Sequence, residues 1–479
     1  MYSRVAGFCR AGNIPMIRTD VRHNISFCLL VAAGILCFYA AAQPRIFSLN
    51  APYDVWDTIT ADLNQDGIAD ILALTCDGSE QPYSKALCGY FSNGNGFPEQ
   101  PTFAEMLSPS ASIAFLVEAD GVPPKEILVA DALTETLYRV VSDHLEKETV
   151  QSVPTLLPYA AKEPIFLRDT VKDIDGDNKE EWFLPVPGGY EIRNAEGLRT
   201  FIECDVVSEV RREEGIYVYW RLPALMFFRN ESTAGLAFAS DEYLDIAYGE
   251  GWNQRKRFKI PLLMPDKWDA QVKMDDLNAD GLPDVIVTQT RGTVNLEVGT
   301  QVFLLRPDLT LSEQPDAKFT TKSAVSSPGV VDLDGDGKKD LLFIRIPFNV
   351  TNIVNFFLRG KVSVDLAAYC YGETGYTENA TFSTSLTMDT PDGRERVAYA
   401  LGDFNGDGRK DIAFTKNANT MVVHVGEKTR LLSAKPWQTL SVPAYGAARS
   451  EKITPDSRED LLVFHPGMPN SKRIEVITF

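Results

Sequence analysis

Short apolar runs recur along this chain, each entered through a polar segment of repeated design. Ile71–Leu74, Trp182–Leu184, Val285–Val287, Leu341–Ile344 and Ile412–Phe414 are such runs. Another apolar stretch lies before the polar segment, as at Val330–Val331 and Val397–Leu401. Short β-rich runs bounded by Asp and Gly read as strands, so the unit is strand, polar loop, strand. Farther along the units, Asn93–Phe97, Asn194–Gly197 and Arg306–Asp308 carry the Asn, Gly and Pro that tight hairpins favour. They predict a further strand, a turn and an outer strand.

The polar segments are five copies of one nine-residue loop. Oxygen side chains stand at positions 1, 3, 5 and 9: Asp62, Asn64, Asp66 and Asp70; Asp173, Asp175, Asp177 and Glu181; Asp276, Asn278, Asp280 and Asp284; Asp332, Asp334, Asp336 and Asp340; Asp403, Asn405, Asp407 and Asp411. Position 6 is Gly67, Asn178, Gly281, Gly337 or Gly408. Carboxylates this dense repel one another unless a cation lies between them. Ca²⁺ takes six to eight oxygen ligands, and the EF-hand loop opens with the same 1, 3, 5 spacing and a Gly at 6. The side chain at position 7 varies freely (Ile68, Lys179, Leu282, Lys338, Arg409), so that residue is expected to give its backbone carbonyl. An EF-hand places helices on both sides and a Glu at position 12; here strands flank the loop.

The clear loops start at 62, 173, 276, 332 and 403, and the two widest gaps hold worn copies. Glu118, Asp120 and Glu126 fit the first gap, with Val122 where an acid belongs. Leu222–Phe228, a bend from Arg229 to Gly235 and then Leu236–Phe238 fit the second, without ligands. Asp456–Phe464 keeps positions 5 and 9 only. A period near 50 residues with three or four strands in each unit is that of propeller blades. The expected fold is all-β, a β-propeller with eight blades preferred and seven left open by the worn copies. An insertion around Tyr369–Ser385 is expected to project from one face.

The last unit offers Leu461–Phe464 and Arg473–Phe479 but no outer strand. Arg45–Leu49 is a strand-like run without a unit of its own. Unpaired sheet edges invite aggregation, so the N-terminal strand is expected to pair with the last blade and close the ring.

Residues 1–42 differ from the rest. Arg18, Arg22 and His23 precede the apolar run Ile25–Tyr39, and Ala40–Ala42 offers a cleavage site before Gln43. This reads as a secretory signal peptide, with Met16 as an alternative start and a membrane anchor as the rival reading. Residues 43–479 then form one propeller domain in a secreted, periplasmic or cell-surface protein. Without residues 1–42, which hold four Arg and one Asp, the net charge moves from −19 to −22. Positions 1, 3, 5 and 9 of the five loops hold 17 carboxylates, and five Ca²⁺ ions would bring the total to about −12. The residual acidity argues against nucleic acid or anionic lipid as partner, leaving an extracellular or periplasmic protein or glycan for a monomeric propeller. Cys76, Cys88, Cys204 and Cys370 remain beyond the leader, and a disulfide between Cys76 and Cys88 is expected, with Cys204–Cys370 by elimination.

The Asp-x-Asp/Asn-x-Asp-Gly-x-x-Asp loop between strands, repeated at this period from about residue 44 to the end, resembles the FG-GAP and VCBS repeat families. The calcium loops of the integrin α-subunit propeller are among them. The Phe-Gly/Gly-Ala-Pro signature is absent in clear form, so the likeness is closer to VCBS. The resemblance implies a calcium-stabilised propeller presenting a binding face, in some members toward carbohydrate.

No His-Glu-x-x-His, Gly-x-Ser-x-Gly, Cys-x-x-Cys or Walker-type loop is present. His144 reads as a surface residue, and Trp56, Trp182, Trp220, Trp252, Trp268 and Trp437 as core or blade-packing residues. The first functional reading is a calcium-binding module for protein or glycan without catalysis. The alternative is a calcium-dependent polysaccharide lyase or hydrolase, which a cleft of unpaired Lys, Arg or acids away from the loops would favour.

Overall fold

Each apolar run that follows a loop is buried on both faces, and this dictates the architecture. In Ile71–Leu74 the side chains alternate between two cores: Ile71 and Ala73 pack with Leu462 and Phe464, while Leu72 and Leu74 pack with Ala114 and Leu116. Val285 and Val287 likewise face one neighbour and Ile286 the other. A strand with successive side chains on opposite faces fills two interfaces only when sheets stack on both sides. Such a stack of sheets arranged round an axis is a propeller. The computed structural model describes residues 43–479 apart from 154–162, 205, 213–215, 230–233, 263–269, 292–296, 322–323, 326, 347–354, 357 and 390–395. The expected leader, most of the blade 4 bend and Trp268 lie outside the described residues, as does the side chain of Trp220.

Arg45–Phe479 forms one unit with eight blades and almost no helix. In chain order, blade 1 spans 54–107, blade 2 113–152, blade 3 171–203, blade 4 224–259, blade 5 270–321, blade 6 324–389, blade 7 399–440 and blade 8 447–478. Strands mostly pair antiparallel with their sequence neighbours, as Ile71↔Tyr90 and Leu87↔Glu105 illustrate in blade 1, while Ile165–Phe166 adds a short parallel pair to Ile113–Ala114 of blade 2. Eight apolar clusters occupy the eight interfaces between successive blades. All three worn copies prove to be blades, which decides for eight over seven.

The ring closes through the N-terminal strand. Arg45–Asn50 is the outer strand of blade 8, with Arg45↔Thr478, Phe47↔Val476 and Leu49↔Ile474 as partners. Leu49 is fully buried. Ser48 Oγ donates to Glu475 Oε2 at 2.5 Å, and Tyr90 Oη donates to the Asn50 carbonyl at 2.9 Å, tying blade 8 to blade 1.

Two expectations fail. Strand register sets Cys76 opposite Lys85 and Cys88 opposite Ala73. Three ladder steps therefore separate the thiols and put them on opposite faces of the sheet, where no disulfide can join them. Cys204 follows the last strand of blade 3 and Cys370 the third strand of blade 6, and none of the four described cysteines forms a disulfide. The insertion after Tyr369 folds back instead of projecting. Its hairpin, Tyr371–Gly372 with Gly375–Tyr376, lays Tyr376 against Phe319 of blade 5, and Tyr376 Oη donates to the Lys339 carbonyl at 2.6 Å.

Candidate metal centres

The loops join the first and second strands of their blades. Position 9 opens the second strand, and Asp70, Glu181, Asp284, Asp340 and Asp411 are all buried. One oxygen of each accepts the amide of position 2: Leu63, Ile174, Leu277, Leu333 and Phe404, at 2.9 to 3.2 Å. Where position 9 is Asp, the other oxygen accepts an amide just past the third strand, from Ser92, Leu305, Tyr371 or Gly426, at 2.8 to 3.0 Å. The residue assigned as a closing ligand therefore also staples the blade. Burial pushes these carboxyls up, to about 6 for Asp70 and Asp340, about 7 for Asp411 and about 8 for Asp284. Their backbone donors oppose the rise and the neighbouring loop acids add to it.

The remaining positions follow one template. Position 1 accepts two loop amides, as Asp62 does from Asp66 and Gly67, Asp276 from Asp280 and Gly281, and Asp332 from Gly335 and Gly337. Position 3 accepts the position 5 amide (Asn64, Asp175, Asn278, Asp334, Asn405). Position 5 accepts the position 7 amide (Asp66, Asp177, Asp280, Asp336, Asp407). Position 7 side chains turn to the surroundings: Leu282 is buried, Lys338 lies over the Tyr371 ring, and Arg409 reaches the Glu427 carbonyl.

This wrapping needs positive φ at position 6, as expected, and also at position 4: Gln65 (61°), Gly176 (83°), Ala279 (63°), Gly335 (80°) and Gly406 (78°). Gly at three of the five was the signal. A Cβ on Gly335 would lie 2.7 Å from the Gly408 carbonyl of the next loop, whereas one on Gly337 would meet nothing. Both substitutions to Ala carry the left-handed strain of roughly 1–2 kcal/mol, and only Gly335→Ala adds the clash. Gly335→Ala should therefore destabilise more than Gly337→Ala in urea denaturation; equal losses would refute the loop-to-loop contact.

That contact is part of a chain of loops. The position 8 amide of one loop donates to the preceding loop's carbonyl: Ala69 to Ile453, Glu180 to Glu118, Lys339 to Leu277, Lys410 to Leu333, and Glu459 to Asp403. Position 8 side chains add ion pairs between neighbouring loops, Lys125–Glu180 at 2.8 Å and Lys410–Glu459 at 2.6 Å. The importance of position 8 is invisible in one loop's sequence, because its partner lies a full period away.

Carboxylate oxygens converge within 4.8 Å for Asp332, Asp334 and Asp336, and for Asp173, Asp175 and Glu181. Glu118, Asp120 and Glu126 of the worn blade 2 copy converge as well. Carboxylate oxygens grouped this closely are hard donors of the kind that suits Ca²⁺. The FG-GAP-like repeat family matches residues 276–343, which run from the loop of blade 5 through the loop and second strand of blade 6. The chain is a β-propeller in which residues 276–343 match the FG-GAP-like repeat. Solved structures similar to this propeller include BBS1N in complex with ARL6DN, at 11% identity, TM-score 0.36, and coverage of 90% of this chain and 95% of that one. The WD40 domain of SCAP from fission yeast is 8% identical with TM-score 0.45, covering 91% and 94%. A protein from Lactobacillus plantarum is 10% identical with TM-score 0.31, covering 85% and 98%. No curated protein matches the sequence.

Several charged groups away from the loops are paired, while Lys273 donates to the Pro328 carbonyl at 2.7 Å. Asp57, on the inner strand of blade 1, receives Arg168 at 3.1 Å and Arg449 at 2.7 Å, and so joins blade 1, blade 8 and the segment after blade 2. Glu135 receives Arg193 at 2.8 Å and the Trp182 Nε1 at 3.0 Å. His144 is exposed, while His424 and His465 are buried against the carbonyls of Ser433 and Tyr445. Trp182 is a core residue and Trp437 stacks on Phe479.

Proposed function

We propose that this propeller is an exported, calcium-binding module that holds a protein or glycan of the extracellular or periplasmic space. The observation that carries this reading is the face on which wrapped acidic loops are hydrogen-bonded one to the next. Each loop is anchored by a buried carboxylate, so a cation in one loop stiffens its neighbours and the surface they share. Rigid scaffolds that present loops are where binding residues concentrate. Export is supported by the apolar leader pattern of residues 25–42, and the acidic balance disfavours nucleic acid as a partner.

Two hollows among the described residues, one lined by Leu333, Cys370 and Arg409 and the other by Glu135, Gln151 and Trp182, each have room for about one water molecule, far less than a small-molecule pocket. A surface-binding role fits that scale better than an enclosed catalytic site. The test is retention of the immobilised protein's partners from arrays of glycans and exported proteins, with free calcium and with chelator. Selective binding that is lost in chelator is expected. Binding that is indifferent to calcium, or confined to nucleic acid, overturns the proposal.

A further inference from the structure

Two of the acidic loops already hold a cation supplied by the chain. In blade 3 the guanidinium of Arg199, from the outer strand, meets Asp175 Oδ2 at 2.8 Å and also Glu181 Oε1. These are the position 3 and position 9 ligands. In blade 2, Arg139 from the third strand meets Asp120 Oδ2 at 2.6 Å and Glu126 Oε1 at 2.8 Å, again positions 3 and 9. The arginines stand on different strands, yet each bridges the same two positions of its loop.

Position 9 explains the difference from the other loops. It is Glu in blades 2 and 3 and Asp in blades 1, 5, 6 and 7. The longer side chain keeps the position 2 amide on one oxygen, at 2.9 Å from Ala119 and 3.2 Å from Ile174, and offers the other to the guanidinium. The Asp loops give that second oxygen to a backbone amide instead. Among the described residues, no Lys or Arg forms an ion pair with positions 1, 3, 5 or 9 of the loops in blades 1, 5, 6 and 7. A planar guanidinium matches carboxylates in directed pairs. A Ca²⁺ ion placed beside it would lose two of its oxygens and face a like charge at close range.

We propose that Arg199 is the resident cation of the blade 3 loop, so that this loop takes no calcium and the propeller binds four ions rather than five. The four are those of blades 1, 5, 6 and 7. The inference rests on the calcium reading of those four loops. The guanidinium is covalently tethered and permanently charged, so blades 2 and 3 keep a cation between positions 3 and 9 when external calcium is withdrawn.

Native mass spectrometry of the full chain in calcium counts the ions, with circular dichroism confirming that each variant folds. Four are expected for the unaltered protein, three for Asp334→Asn and four for Asp175→Asn. Loss of an ion on Asp175→Asn overturns the inference while leaving the calcium reading intact. Absence of calcium from the unaltered protein overturns the calcium reading, and with it the count of four. The internal cation has its own readout, because Arg199→Gln leaves the buried Glu181 facing Asp175 with no cation between them. In chelator this variant should melt several degrees lower than the unaltered protein, and an unchanged melting temperature overturns the role given to Arg199.

Discussion

A chain that starts at Ala51 is expected to keep most of its strands, to melt well below one that starts at Gln43, and to self-associate. Arg45–Asn50 completes a four-stranded blade whose third strand, Arg473–Thr478, would otherwise present a free ladder to solvent. The lost contacts are substantial. Leu49 is fully buried in the cluster between blades 8 and 1, and Phe47 packs edge-on against Phe97 at 6.0 Å. Removing a single buried Leu side chain costs about 2–5 kcal/mol, and here the ladder hydrogen bonds go with it. The exposed edge is apolar, because Ile474, Val476 and Ile477 are buried in the closed ring. Such an edge is a template for pairing with another copy. Leu49→Asp offers the same test with the strand retained. Light scattering and thermal melts decide. A truncated chain that stays monomeric and melts like the longer one would show that closure contributes nothing.

That closure was legible because it follows from an edge count. The final unit lacked an outer strand and the first strand lacked a unit. The second strands were legible for a related reason, since runs such as Leu341–Ile344 are apolar at every position only when both faces are covered. The blade 4 strands, 224–229 and 234–239, were found from apolar pattern alone after the loop ligands had gone. What escaped depends on register and on long separations. Cys76 and Cys88 lie close in sequence around one turn, yet a ladder offset of three residues sends them to opposite faces. Arg139 and Arg199 enter their loops from strands with no fixed spacing to them, and only the change from Asp to Glu at position 9 marks the result. The positive φ at position 4 was half visible, because Gln65 and Ala279 stand where Gly would relieve the strain.

Withdrawal of calcium is expected to lower the melting temperature by several degrees at about pH 8 and to invert the dependence of stability on pH. A ligand that binds only the folded state adds RT ln(1 + [L]/Kd), about 2.7 kcal/mol per site at a free concentration of 100 Kd. With several sites on one ring of loops, the combined effect exceeds that of most single substitutions.

The pH argument runs through the buried position 9 carboxyls. Asp70, Asp284, Asp340 and Asp411 hold their protons up to about 6, 8, 6 and 7, against 3.8 for an ordinary Asp. A carboxyl that binds its proton more tightly when folded stabilises the fold at low pH. That contribution fades as pH rises from about 4 through about 8. In chelator the propeller should therefore grow less stable across this window, since the buried acids ionise with no cation to receive them.

With calcium present the order reverses. A bound metal would hold the same carboxylates ionised, protons would have to displace it, and stability should fall as pH drops below about 6. Melting curves at about pH 5 and pH 8, each with calcium and with chelator, separate the cases. A calcium-induced rise at pH 8 that shrinks at pH 5 is the expected result. A chelator series in which stability increases toward pH 8 would mean that the buried acids are not the strained groups. A melting temperature unmoved by calcium at pH 8 would remove the metal from the account of how these loops are held.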